Sequence, residues 1–250
     1  MPIIKEFQLN ESIAVIAIKS GKELYYLGEY LQIAGAVIFI IAQTDDILRE
    51  AREIIGKETM GTVVDMTDRA NIVEVKNRIV SQFSRIDILV TDSRWMVAKP
   101  ICGITENDWD ETNVNNCRTT FFLCQVFAEV MKQQEYGRIV NIASELGDRA
   151  VADCSIFSAS QATVLSLTKS FTIEYAKFGL RINCIATGWT LAEGIPLNEQ
   201  QKELLVRYIP LRRKGTPADL APLLIFLCSK ACDYTTGQPI FIDGGLTARP

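Results

Sequence analysis

The chain has 250 residues, is 48% hydrophobic, carries a formal net charge of −4 and contains no histidine. That length and apolar share suffice for the core of one α/β domain. Acidic and basic residues are mixed along the sequence, which leaves no clustered basic face for nucleic acid, and the absence of imidazole removes every mechanism built on a histidine base or ligand. No apolar run approaches the roughly 20 residues that span a bilayer, and Met1-Pro2-Ile3-Ile4-Lys5-Glu6 lacks the order of a signal peptide, so no membrane association and a cytoplasmic protein are expected.

Short β-prone apolar runs alternate with longer amphipathic stretches, which predicts an α/β fold: a doubly wound parallel sheet with helices on both faces. In chain order, strands are expected at 13–18, 37–42, 62–65, 87–90, 138–142, 181–185 and 239–242. Several are nearly all Ile, Val and Ala, as strands covered on both faces should be. Helices are expected over 68–83, 106–133 and 158–177, with Asp68 as an N-cap and Thr105-x-x-Asp108 resembling a capping box. The polar stretch 189–208 reads as an insertion or lid over the C-terminal edge of the sheet. No repeat or linker divides the chain, so residues 1–250 form a single expected domain.

Seven cysteines, scattered through apolar segments such as Phe121-Phe122-Leu123-Cys124, read as buried thiols of a reducing compartment. Cys228 and Cys232 share a helical spacing, but two thiols without further ligands make a poor zinc site, and no metal is expected.

Several phrases resemble the short-chain dehydrogenase/reductase superfamily in its order and spacing. They are Ala34-Gly35-Ala36, Val64-Asp65-Met66-Thr67-Asp68, Arg85-Ile86-Asp87-Ile88-Leu89-Val90, Trp109-Asp110 leading to Asn116, Gly137-Arg138-Ile139-Val140-Asn141-Ile142, Arg181-Ile182-Asn183, and Thr236-Gly237-Gln238 leading to Asp243-Gly244-Gly245. The resemblance covers essentially the whole chain and implies a Rossmann-type sheet of about seven strands, with its ligand at the C-terminal strand ends.

The same resemblance exposes departures. The family's TGxxxGxG turn falls on Ala17-Ile18-Lys19-Ser20-Gly21-Lys22-Glu23-Leu24, so its three glycine positions carry Ile18, Lys22 and Leu24. Side chains at those positions are expected to occupy cofactor volume. The ribose-selecting residue falls near Ala42 or Gln43, neither of them charged. Asp65 matches the family's adenine-side aspartate but reads equally well as the cap of a turn. Asn-Asn-Ala-Gly becomes Thr91-Asp92-Ser93-Arg94, and Pro-Gly becomes Thr187-Gly188.

At the family's catalytic positions, Ser144 and Asn116 match, whereas Phe157 and Gln161 replace the acid–base tyrosine and its activating lysine. None of Tyr25, Tyr26, Tyr30, Tyr136, Tyr175, Tyr208 or Tyr234 is followed four residues later by lysine. Ser144 and Asn116 are therefore read as structural hydrogen-bonding groups, and neither a catalytic residue nor a cofactor is expected in this chain.

With these departures the resemblance implies a non-catalytic subunit. Its helices 106–133 and 158–177 and its last strand would pack against a homologous active subunit that carries NAD. The expected assembly is a hetero-oligomer, a heterotetramer, that oxidises a hydroxyl substrate such as a hydroxyacyl-CoA of anaerobic toluene degradation. Two other readings stand beside it. One is a ligand-binding or sensor module in which Lys19, Lys22 and Arg94 favour an anion. The other is an unorthodox dehydrogenase.

Overall fold

The computed structural model describes residues 5–19, 21–92, 94–191 and 195–248. Residues 1–4, Ser20, Ser93 and residues 192–194, which belong to the segments read above, lie outside the described residues. The described chain opens with strand β1 (Ile13–Ile18), helix α1 (Glu23–Ile33), β2 (Val37–Ala42), α2 (Asp45–Ile55), β3 (Met60–Val63), α3 (Arg69–Phe83) and β4 (Ile88–Asp92). It continues with α4 (Glu106–Thr112), α5 (Thr119–Gln133), β5 (Gly137–Ser144), α6 (Ser155–Tyr175), β6 (Leu180–Thr187), the single turn α7 (Leu197–Gln200), α8 (Pro217–Cys228) and β7 (Pro239–Ile242).

Seven parallel strands form one sheet in the order β3-β2-β1-β4-β5-β6-β7. The order reverses between β1 and β4, and in such a sheet this switch point opens a crevice at the strands' C-terminal ends. Every residue of β1, β4 and β5 is buried, because helices cover both faces. On one face, Ile16, Ile38, Ile40 and Val140 pack against α1, α2 and α8 through Leu24, Leu27, Ala51 and Leu224. On the other, Val15, Phe39, Leu89 and Ile139 meet α3, α5 and α6 through Ile72, Ile79, Phe127 and Phe171.

Local chemistry explains the element ends. Asp68 accepts the Ala70 N–H at 2.8 Å and caps α3. Thr105 and Asp108 form the reciprocal capping box at α4. Strand β3 begins and ends two residues before its expected position, since Asp65 is drawn into a turn, its Oδ1 accepting the Thr67 N–H at 2.9 Å.

The expected helix 106–133 is broken by a π-helical turn, Asn113–Arg118. Asn113 and Asn115 donate side-chain amides to the carbonyls of Trp109 and Glu111, and Thr119 Oγ1 donates to Val114. Such side-chain bonds compete with the i→i−4 ladder, and π-turns favour functional clefts. Here the turn aims Asn116 inward, with no exposed surface.

All seven cysteines are free thiols. Cys232 donates to the Leu227 carbonyl at 3.1 Å, and burial pushes the Cys124 thiol up to about 12, far from a reactive thiolate. Among the described residues no helix is long and apolar enough to cross a membrane.

Candidate active site

The residues singled out from the sequence lie at or after the C-terminal ends of β1 to β6, on the π-turn or on α6, and the structure gives several of them other roles than expected. Ile18 and Leu24 do not fill the crevice. Both are fully buried in the core shared with α1 and α8. Lys22 turns away to pair with Glu50 of α2 at 3.2 Å. Lys19 is not solvated: it is 8% exposed and donates to Asn115 Oδ1 at 2.6 Å. Burial lowers its ammonium to about 8, against the opposing pull of Asp65 and Asp92.

The crevice is instead occupied by groups to which the glycine pattern gives no weight. Arg94 Nη1 pairs with Glu23 Oε1 at 2.7 Å, and Arg94 Nε pairs with Asp92 Oδ1 at 2.8 Å. Thr190 Oγ1 donates to the same Glu23 oxygen at 3.0 Å, tying the segment after β6 to the start of α1. A β-carbon on Gly21 would meet Asp92 Oδ2 at 2.6 Å and Arg94 Nη2 at 2.8 Å, so these side chains lie directly on the turn after β1. Burial alone would raise the Glu23 carboxyl, but the Arg94 charge and the hydrogen bonds to it outweigh burial and hold it below the usual carboxylate range. Asp65 and Gln43 serve the turn after β3, with Gln43 Nε2 donating to Asp65 Oδ1 at 3.3 Å, and Ala42 ends β2 in the core.

Deeper in the crevice, Asn116 holds the loop after β4, accepting the Trp95 N–H and donating to the Trp95 carbonyl, each at 2.8 Å. Its amide also donates to Ser160 Oγ at 2.8 Å. Phe157 is 4% exposed and packs with Leu146, Cys154 and Val151. Gln161 is fully buried, and its Oε1 accepts the backbone N–H of Ser144 at 2.8 Å. The amide thus bonds the end of β5 and does not extend into open space.

One participant was missed from the sequence. Glu145, 1% exposed, accepts from Ser144 Oγ at 2.9 Å through Oε2 and from Arg149 Nη2 at 3.0 Å through Oε1. Arg149 in turn lies over the Trp189 ring, 5.8 Å from its centroid. A hydroxyl paired with a buried carboxylate can pass a proton, and the neighbouring guanidinium offsets the cost of burying that charge. The adjacency of Ser144 and Glu145 in the chain was the only available signal.

A family model described as enoyl-(acyl carrier protein) reductase matches residues 27–247. A 3-oxoacyl-(acyl-carrier-protein) reductase from Thermotoga maritima is 34% identical over 205 residues, covering 81% of this chain and 82% of its own length. This chain is a short-chain dehydrogenase/reductase. A 2-dehydro-3-deoxy-D-gluconate 5-dehydrogenase from Escherichia coli is 29% identical across 99% of the chain and 100% of its own length. The structure of a gluconate 5-dehydrogenase from Burkholderia cenocepacia, in complex with NADP and tartrate, superimposes with a TM-score of 0.85 at 25% identity, covering 98% of each chain. A short-chain type dehydrogenase/reductase from Mycobacterium marinum shares the fold, with a TM-score of 0.87 and full coverage of both chains.

These relatives overturn the expectation of a non-catalytic subunit that supports an active homologue. They are themselves reductases and dehydrogenases, and their likeness to this short-chain dehydrogenase/reductase extends over most or all of its length. The fold family implies a nicotinamide dinucleotide at the switch point, and the residues present do not fit one in this arrangement. The approach to the N-terminus of α1 is taken by Glu23 and Arg94, and the Asp92 and Arg94 side chains close over Gly21.

Proposed function

We propose that this chain is an oxidoreductase acting on a hydroxyl or carbonyl group of a small polar substrate, with the Ser144–Glu145 pair moving the proton. What carries this reading is the buried hydrogen bond of 2.9 Å from Ser144 Oγ to Glu145 Oε2 at the end of β5, in a family whose members act on alcohols and ketones. Phe157 and Gln161 offer no proton, whereas the Ser144 hydroxyl can accept one from a substrate hydroxyl while delivering its own to the Glu145 carboxylate, the carbinol hydride passing to an NAD(P)+ acceptor supplied from solution. Reduction of a carbonyl runs the same relay backwards. Arg149 positions Glu145, and Asn116 fixes the loop after β4 by clamping both backbone groups of Trp95.

A polar or anionic hydroxy compound as substrate is supported by the relatives' names and by the Arg149 guanidinium held over the Trp189 ring beside Glu145. The test is turnover of the purified chain at millimolar NAD(H) and NADP(H) with gluconate, 2-dehydro-3-deoxygluconate, glycerol, a 3-oxoacyl thioester and a hydroxyacyl-CoA. The expected result is measurable oxidation or reduction of at least one of them, falling about 100-fold or more in Ser144→Ala, the usual range for losing a positioned proton-transfer group. Absence of turnover across the panel, or full activity in folded Ser144→Ala, sinks the reading.

A further inference from the structure

The crevice at the β1/β4 switch point is where a doubly wound sheet receives phosphate, because the helix after β1 directs free N–H groups and its positive dipole end into it. In this chain that position already holds an anion of its own. Glu23 is the first residue of α1, and its side chain is only 15% exposed. The carboxylate takes a backbone N–H of its own helix start, the Arg94 guanidinium and the Thr190 hydroxyl, the donor set that a phosphate oxygen would take.

Two further atoms sharpen the picture. Arg94 Nη2 and Asp92 Oδ2 are buried without a hydrogen-bond partner among the described residues, and both lie against the turn at Gly21. Buried polar groups are rarely left unpaired, so a guanidinium nitrogen directed at this turn marks a place built to take one more acceptor. The Asp92 carboxylate beside it opposes a second anion and contributes to keeping the crevice closed.

We propose that Glu23 is an internal stand-in for the diphosphate of a dinucleotide, so that a ligand diphosphate enters only by displacing the Glu23 carboxylate from Arg94 and the start of α1. Once displaced, Glu23 leaves the helix N-terminus and the Arg94 guanidinium to the ligand. Arg94 then works as a phosphate-binding side chain where the family pattern has glycine. This inference concerns binding, and stands or falls separately from the proton relay at Ser144.

Calorimetric titration of wild-type chain, Glu23→Gln and Glu23→Asp with NADH and with inorganic pyrophosphate tests it. Glu23→Gln is expected to bind both probes at least tenfold more tightly than wild type, while Glu23→Asp, which keeps the charge, gains little. Adding Arg94→Gln to Glu23→Gln is expected to abolish the gain. Should Glu23→Gln fail to fold by circular dichroism, Glu23→Ala, which removes the carboxylate and leaves the Arg94 and Thr190 donors in place, is expected to tighten both probes at least tenfold. Equal affinity in folded wild type and Glu23→Gln, or a gain for pyrophosphate without one for NADH, overturns the proposal. Loss of turnover in Ser144→Ala with these affinities unchanged bears only on the proton relay.

Discussion

Gln161 Oε1 accepts the backbone N–H of Ser144 at 2.8 Å, fastening α6 to the end of β5 at a point where both residues are buried. The amide supplies an acceptor that an ammonium cannot, so reinstating the family lysine here is not a neutral change.

Gln161→Met keeps length and volume but removes that acceptor, leaving the Ser144 N–H unsatisfied in the interior. The expected cost is about 1–3 kcal/mol, read as a lower urea midpoint at an unchanged m-value. An unaltered midpoint would show that the bond contributes nothing.

Phe157 lies among Leu146, Cys154 and Val151 and is 4% exposed. Truncation to alanine removes a ring from a close-packed site, and Phe157→Ala is expected to destabilise the fold by about 3 kcal/mol or more. A cost under 1 kcal/mol would mean that the ring serves the crevice and not the core.

Asn116 satisfies both backbone groups of Trp95 and holds Ser160 Oγ. Asn116→Ala strands these groups, so about 2 kcal/mol of stability should be lost, along with ordered Trp95 near-ultraviolet dichroism. Retention of that dichroism together with wild-type stability would refute the clamp.

Lys19 gives the chain a pH signature. Its ammonium falls from 10.5 unfolded to about 8 folded, mainly through burial. Between those values the unfolded chain binds more protons, so this group's contribution is complete above pH 10.5 and is lost as pH falls through about 8. Relative to Lys19→Met, wild-type stability is expected to rise across that window by at most about 3 kcal/mol, measured as paired urea midpoints. A pH-independent difference between the two proteins would place Lys19 in solvent.

The β1, β2 and β7 ranges, the Asp68 cap and the Thr105–Asp108 box were legible because each depends on a local pattern or on apolar runs covered on both faces. The break at Asn113–Arg118 was not, since Asn116 bonds Trp95 and Ser160, both far from it in sequence. Nor was the crevice lining. Replacement of glycines by Ile18, Lys22 and Leu24 suggested that those side chains obstruct it, yet two of them face the core and one reaches α2.

The sequence by itself determined the class of fold, the absence of imidazole chemistry and the identity of the groups at Phe157 and Gln161. Periodicity and side-chain chemistry do not depend on distant partners. Only the tertiary structure decided that Glu23 meets Arg94 across the switch point, that Gln161 serves a backbone N–H, and that Ser144 has a carboxylate beside it in a buried site. Those relations join α1, β4, β5 and α6, and a hydrogen bond or ion pair takes its strength from distance and burial, which only the packed chain sets.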